Sequence, residues 1–167
     1  MTALFAPPNT LQKAVLGTQF VSTLAMFGLI WFVQLVHYPL FRRIPPEAFI
    51  AFETEHANRT GYIAFPLMLA ELLSALALLA PRLRPAQISA TQAAAGAALV
   101  GILWASTVFL QIPLHNRLHR TYDHTAIKRL IAGNWLRTAA WTLRAALLTY
   151  WLLQLLATTQ AGSPAAP

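Results

Sequence analysis

At 167 residues, with 57% hydrophobic and 10% charged side chains, the chain lies far from the soluble balance of about 25% charged. It has no cysteine, which excludes disulfides, iron–sulfur clusters and thiolate-held metal or haem. A net charge of +7 would suggest a nucleic-acid partner in a soluble protein, but no nucleic-acid motif occurs and the Lys and Arg lie mostly at the ends of apolar runs, as in cytoplasmic loops facing anionic headgroups.

The opening "MTALFAPPNTLQK" has no basic start, and the apolar run behind it is too long for the core of a signal peptide, so no cleaved leader is expected. That run, residues 14–41, is long enough to cross a bilayer as a helix and brings Gln34 and His37 onto one face, with Thr23 three turns further in. In "RRIPPEAFIAFETEHANRT" two prolines precede an amphipathic stretch with Phe49, Phe52 and His56 near one face, which predicts a short interfacial helix leading into the next span. The second span, 62–80, carries Glu71 near mid-bilayer and Pro66 as a potential kink. The third, 93–113, carries a slowly rotating stripe of Trp104, Thr107, Gln111 and His115, which reaches His119 if the helix continues past Pro113. Asp123 is placed to cap a second short loop helix over 124–132, Gly133 to end it, and Asn134 to cap a fourth span over 135–157 that carries Arg137, Trp141 and Arg144 on one side. The tail "TTQAGSPAAP", residues 158–167, is expected to be disordered. The fold class expected is therefore all-α: one integral-membrane four-helix bundle over residues 1–157, with a short interfacial helix in each of the two longer loops.

Charge orients the bundle. The first and third loops carry Arg42, Arg43, Arg59, Arg117, Arg120, Lys128 and Arg129, against Lys13, Arg82 and Arg84 on the other side. The positive-inside rule puts both termini outside and both long loops in the cytoplasm. All five histidines fall on the cytoplasmic half.

Charged groups near mid-bilayer cost about 2.5 to 3.5 kcal/mol each on insertion scales, so Glu71 and Arg144 are expected to face inward and pair. Arg137, on the same face as Arg144, is then left with no carboxylate of its own: either it snorkels to the cytoplasmic interface or bonds loop carbonyls, or, facing inward, it presents a fork for an anionic or enolisable oxygen. The catalytic candidates are His37, His115 and Arg137; Gln34, Gln111, Asn116, Asn134 and Trp141 are the candidates for orienting a ligand. Two cofactor readings stand beside this one. His37 and His115 lie on diagonal spans and could hold one haem b iron. Alternatively, His37 and His115 could share a metal, or the HxxxH pair His115 and His119 could hold a divalent metal with His56 or Glu71 completing the set. A structural reading, in which the polar stripes merely fasten the bundle as a subunit of an oligomer or larger membrane complex, stays open as well.

The stretches "WFVQLVHYPLF", "EHANRTGYIAFPLMLAE", "STVFLQIPLHNRL" and "NWLRTAAWTLRAAL" resemble small bacterial four-helix membrane proteins of no assigned function. More loosely the chain is similar to the anthrone oxygenase-like family, whose members carry a Pro–x–Asn-type motif after the third helix and a fourth helix bearing Trp and Arg. The matching stretches are 113–118 and 135–144, and the chain departs from the pattern in placing His115 ahead of Asn116 and in its Glu71 and paired arginines. The resemblance implies a bacterial inner-membrane, oxygenase-like enzyme acting on a lipophilic phenol- or quinone-like molecule that partitions into the bilayer.

Overall fold

The computed structural model describes residues 7–161, with side chains to residue 158, and every regular element among them is helical. Helix α1 (Thr10–Phe32) opens on a capping box, in which Asn9 accepts the Gln12 N–H and Gln12 reaches back to the Asn9 backbone. It runs into a π-helical turn at Val33–His37, then α2 (Tyr38–Leu40) and a 3₁₀ turn at Phe41–Arg43. Helix α3 (Pro46–Ala77) follows after two residues, and α4 (Ala90–Ser106) starts on a second capping box, Ser89 with Gln92. A π-helical turn at Thr107–Gln111 joins α4 to α5 (Ile112–Leu118), and α6 (His124–Ala161) closes the bundle.

Both π turns end two residues before a proline, Pro39 and Pro113. Proline removes one backbone donor and its ring collides with the carbonyl four residues back. An extra residue in the turn relieves the collision while the helix continues, which is how the polar stripe passes Pro113 and reaches toward His119.

Helices α1 and α4 are diagonal; each packs on α3 and α6. The interior alternates apolar and polar layers. Leu16, Leu78, Ile88, Ala93, Leu148 and Trp151 fill one end. Met26, Ile30, Met68, Leu103, Ala140 and Trp141 fill the middle, and Phe41, Phe49, Leu118, Ile127 and Leu130 anchor the other end. Large apolar side chains also cover the outside, among them Tyr62, Phe65, Phe109 and Leu153, as a bilayer would require.

Three helical stretches are long and apolar enough to cross a membrane, Thr10–Arg43, Pro46–Ala77 and Ala90–Leu118, with mean hydropathies of 1.7, 1.5 and 1.9. The fourth predicted span lies in α6, which does not join these three; it carries Lys128, Arg129, Arg137 and Arg144, of which the last two are turned inward and buried.

The two loop helices expected from the sequence are not separate elements. The amphipathic stretch after Pro45 forms the first turns of α3, and Pro66 does not interrupt that helix. Likewise Asp123 caps 124 onward as expected, its Oδ1 accepting the N–H groups of Thr125 (2.8 Å) and Ala126 (3.1 Å), but the helix runs through Gly133 without a break. The Ala126 N–H, ahead of that of Thr125 and the Arg117 guanidinium, holds the Asp123 carboxyl below its ordinary pKa. Gly133 serves close approach instead of termination: a Cβ there would lie 3.3 Å from Gln111 Nε2. Asn134, expected as a cap, is a fully buried mid-helix residue bonded to Gln34. The predicted tail is helical as far as Ala161, and its remainder, 162–167, lies outside the described residues.

Candidate functional site

Two polar layers and one cluster emerge from these helices. In the deeper layer Glu71 is held from three sides. Its Oε1 accepts from the Thr23 hydroxyl (2.6 Å) and Arg144 Nε (3.1 Å), and its Oε2 from Trp141 Nε1 (2.9 Å). Arg144 also donates to the Gly96 carbonyl at 3.0 Å and to Thr23 at 3.3 Å. Every group here has partners, and both charges are buried, so this layer reads as a fastener.

The second layer is less complete. Asn134 donates to Gln34 (2.9 Å), which donates to the Ile131 carbonyl (3.3 Å), and Arg137 Nη1 donates to Asn134 Oδ1 at 3.2 Å. The Arg137 guanidinium stacks 5.1 Å from the Trp141 ring centroid, so Trp141 joins the two layers. Arg137 Nε, however, is buried without a partner, and so are both amide atoms of Gln111.

Above this layer sits the cluster. His115 Nδ1 and Glu53 Oε1 are in direct contact, and His115 Nε2 lies 3.2 Å from the Tyr38 hydroxyl. His37 Nε2 is 2.8 Å from His56 Nδ1, which also has Thr60 Oγ1 at 3.1 Å. His119 Nε2 is 3.9 Å from Glu53 Oε1. Potential ligand atoms of Glu53, His56 and His115 all lie within 4.8 Å of one another. Glu71, an expected third ligand, is not in this group; it belongs to the deeper layer. The Tyr38 and His56 rings each lie near both His37 and His115, with centroids 4.5 to 6.5 Å from them.

A cavity of about 350 Å³ lies between α3 and the α4–α5 helix and connects the second layer to the cluster. Small residues on α3, Ala57, Gly61 and Ala64, leave this space, and a Cβ at Gly61 would meet nothing within 4 Å. Its polar wall is Thr107, Gln111, His115, Asn116, His119 and Arg137, and Phe65, Met68 and Trp104 supply apolar wall. Of the expected site residues, His56, Gln111, His115, Asn116, His119 and Arg137 thus meet in one space. Gln34, Asn134 and Trp141 stand behind it, and His37 faces a different cleft with Phe32, Phe52 and Arg59. Glu53 and Tyr38 were missed by the sequence reading. The signal for Glu53 was its position one helical turn before His56 on the helix expected there, but Glu47 and Glu55 share that stretch and only the fold separates them.

No family model, no curated protein and no solved structure matches the chain.

Proposed function

We propose that the protein is an integral enzyme of the bacterial inner membrane that draws a lipophilic phenol- or quinone-like molecule into the cleft between α3 and α4–α5 and acts on it at an acidic O–H or C–H bond, in the manner of an oxygenase. The observation that carries this reading is the pair of incomplete groups on the cleft wall: Gln111, with neither amide atom satisfied, and Arg137, with its Nε free. A buried unpaired polar group costs about 1 to 3 kcal/mol, which a bound oxygen would offset. A phenolic or enolic oxygen suits both, since it accepts from guanidinium and amide and carries the negative charge that Arg137 stabilises as the proton leaves. The proton acceptor within reach along the same wall is His115, oriented by Glu53 and Tyr38. The apolar wall from Phe65 to Trp104 holds the ring or tail.

The test uses the full chain in detergent with 1-naphthol and its methyl ether, which differ in the acidic hydroxyl. Wild type should bind the naphthol at least about tenfold more tightly, the worth of one charge-assisted hydrogen bond. Arg137→Gln should abolish that preference, and Gly61→Phe should block both ligands without lowering the melting temperature, because the space at residue 61 is open. Equal binding of the two probes by wild type, or unimpaired binding by Gly61→Phe, overturns the proposal.

A further inference from the structure

The proton acceptor just described contains more than a base needs. Glu53 is fully buried, and among the described residues no Lys or Arg pairs with it: its Oε1 meets His115 and, at 3.9 Å, His119, while its Oε2 has no partner there. His119 Nε2, beside it, is likewise buried and unbonded. A carboxylate this deep is costly unless a cation answers it. Glu53 and His56 sit one turn apart on α3, and His115 on α5 has His119 one turn on, at the residue that caps the helix, so Glu53, His56 and His115 bring three donors together and His119 Nε2 lies 3.9 Å from Glu53 Oε1.

We propose that Glu53, His56 and His115, with His119 as a fourth donor, form a mononuclear site for a divalent first-row metal ion. This deepens the reading of the cleft as a working site, resting on it only for the side on which the ion stays open. The geometry is close to what is required. Metal–nitrogen and metal–oxygen bonds of about 2.0 to 2.2 Å place neighbouring ligand atoms roughly 3.3 Å apart in a tetrahedral site. The three donors here, already within 4.8 Å of one another, need only side-chain rotation to close on an ion. Outer contacts are also in place. His56 Nδ1 is held by His37 and Thr60, leaving its Nε2 for the metal, and His115 Nε2 is held by Tyr38, leaving the Nδ1 that faces Glu53. Ligating histidines characteristically have their second nitrogen fixed in this way.

Two histidines and a carboxylate, with no cysteine in the chain, suit Fe²⁺, Mn²⁺ or Zn²⁺. Because His56, His115 and His119 line the cleft while Glu53 lies outside its lining, a coordination position beyond those of the protein donors, the fourth with three of them bound or a fifth with His119 also bound, would face the substrate space. An ion there would take the place of the proton between His115 and Glu53, make His115 a ligand in place of a base, and lower the pKa of a water so that, once it has released a proton to solvent, the hydroxide would serve as proton acceptor in its stead.

Co²⁺, whose visible absorption reports nitrogen and oxygen ligands, is the probe. Full-length wild type in detergent, stripped with chelator and titrated, should bind one equivalent. His119→Gln, a partly exposed position, should keep the melting temperature and bind more weakly; Glu53→Gln should lose at least about 100-fold, more than the 10- to 100-fold typical of outer contacts. Arg137→Gln should titrate like wild type. The inference is overturned if wild type takes up no Co²⁺, or if the triple variant Glu53→Gln/His56→Gln/His115→Gln takes up as much. Failure here with the naphthol preference intact removes the metal and leaves the cleft; uptake of Co²⁺ with no naphthol preference does the reverse.

Discussion

Glu71 and Arg144 were legible as partners from sequence because burying a charge near mid-bilayer leaves few alternatives to pairing. What the sequence could not show is how many other groups share the load: Thr23 and Trp141 also bond Glu71, and the Gly96 carbonyl also holds Arg144. Glu71→Gln should therefore cost about 3 to 5 kcal/mol, the usual loss on breaking a buried pair, by leaving the guanidinium without its counter-charge. Adding Arg144→Met should recover much of that, and the interaction energy from a denaturation cycle checks it; additive losses would show that the two residues do not act as a pair. Glu53 was illegible for the opposite reason. Its stretch holds Glu47, Glu53 and Glu55, and only the fold shows that Glu53 turns inward while Glu55 pairs outward with Arg59.

Helices are where sequence periodicity succeeded in kind and failed at the joints. Glycine and asparagine at 133–134 read as a stop and a start, yet close packing of Gln111 on Gly133 and the Asn134–Gln34 hydrogen bond make both positions part of a continuous α6. Tertiary contacts of this kind override local cap signals because each is decided by a residue about 20 to 100 positions away. The π turns were equally hidden: proline announced a disturbance at 39 and 113 but not its resolution. Gly96 makes the same point with a measurable consequence. A Cβ there would lie 2.9 Å from Arg144 Nη1 and 3.4 Å from Trp151, and Arg144 is pinned by its bonds to Glu71 and Thr23. Gly96→Val should destabilise the bundle by about 1 to 3 kcal/mol through overpacking, despite valine's better helix propensity. Gly101→Ala, where a Cβ meets nothing within 4 Å, should be neutral or slightly stabilising in the same thermal melts.

Across the whole molecule, charge and chemistry fall at one end. His56 is 15 residues from Glu71 along α3, roughly 22 Å at 1.5 Å per residue, so in a bilayer whose hydrocarbon core is about 30 Å thick a Glu71 at its middle would put the cluster at headgroup level. The cleft runs from that level down past Arg137 toward Met68, so a lipophilic molecule entering from the bilayer would present its polar end to the histidines and leave its apolar part in the membrane. Arg42, Arg43, Arg59, Arg117 and Arg120 surround the same end, whereas Arg82 and Arg84 mark the other. If these charges set orientation, a reporter inserted in the short connection before His124 should read cytoplasmic, and one inserted between Ala80 and Ser89, or fused after residue 157, should read external. Moving the bias tests the cause: replacing Arg117 and Arg120 by Gln while adding two lysines beside Arg84 should produce a mixed population, seen as partial activity of both reporters. Reporters that read the reverse way in the unaltered chain would place the site on the outer face and withdraw the argument from charge, while leaving the cleft and its cluster where the helices put them.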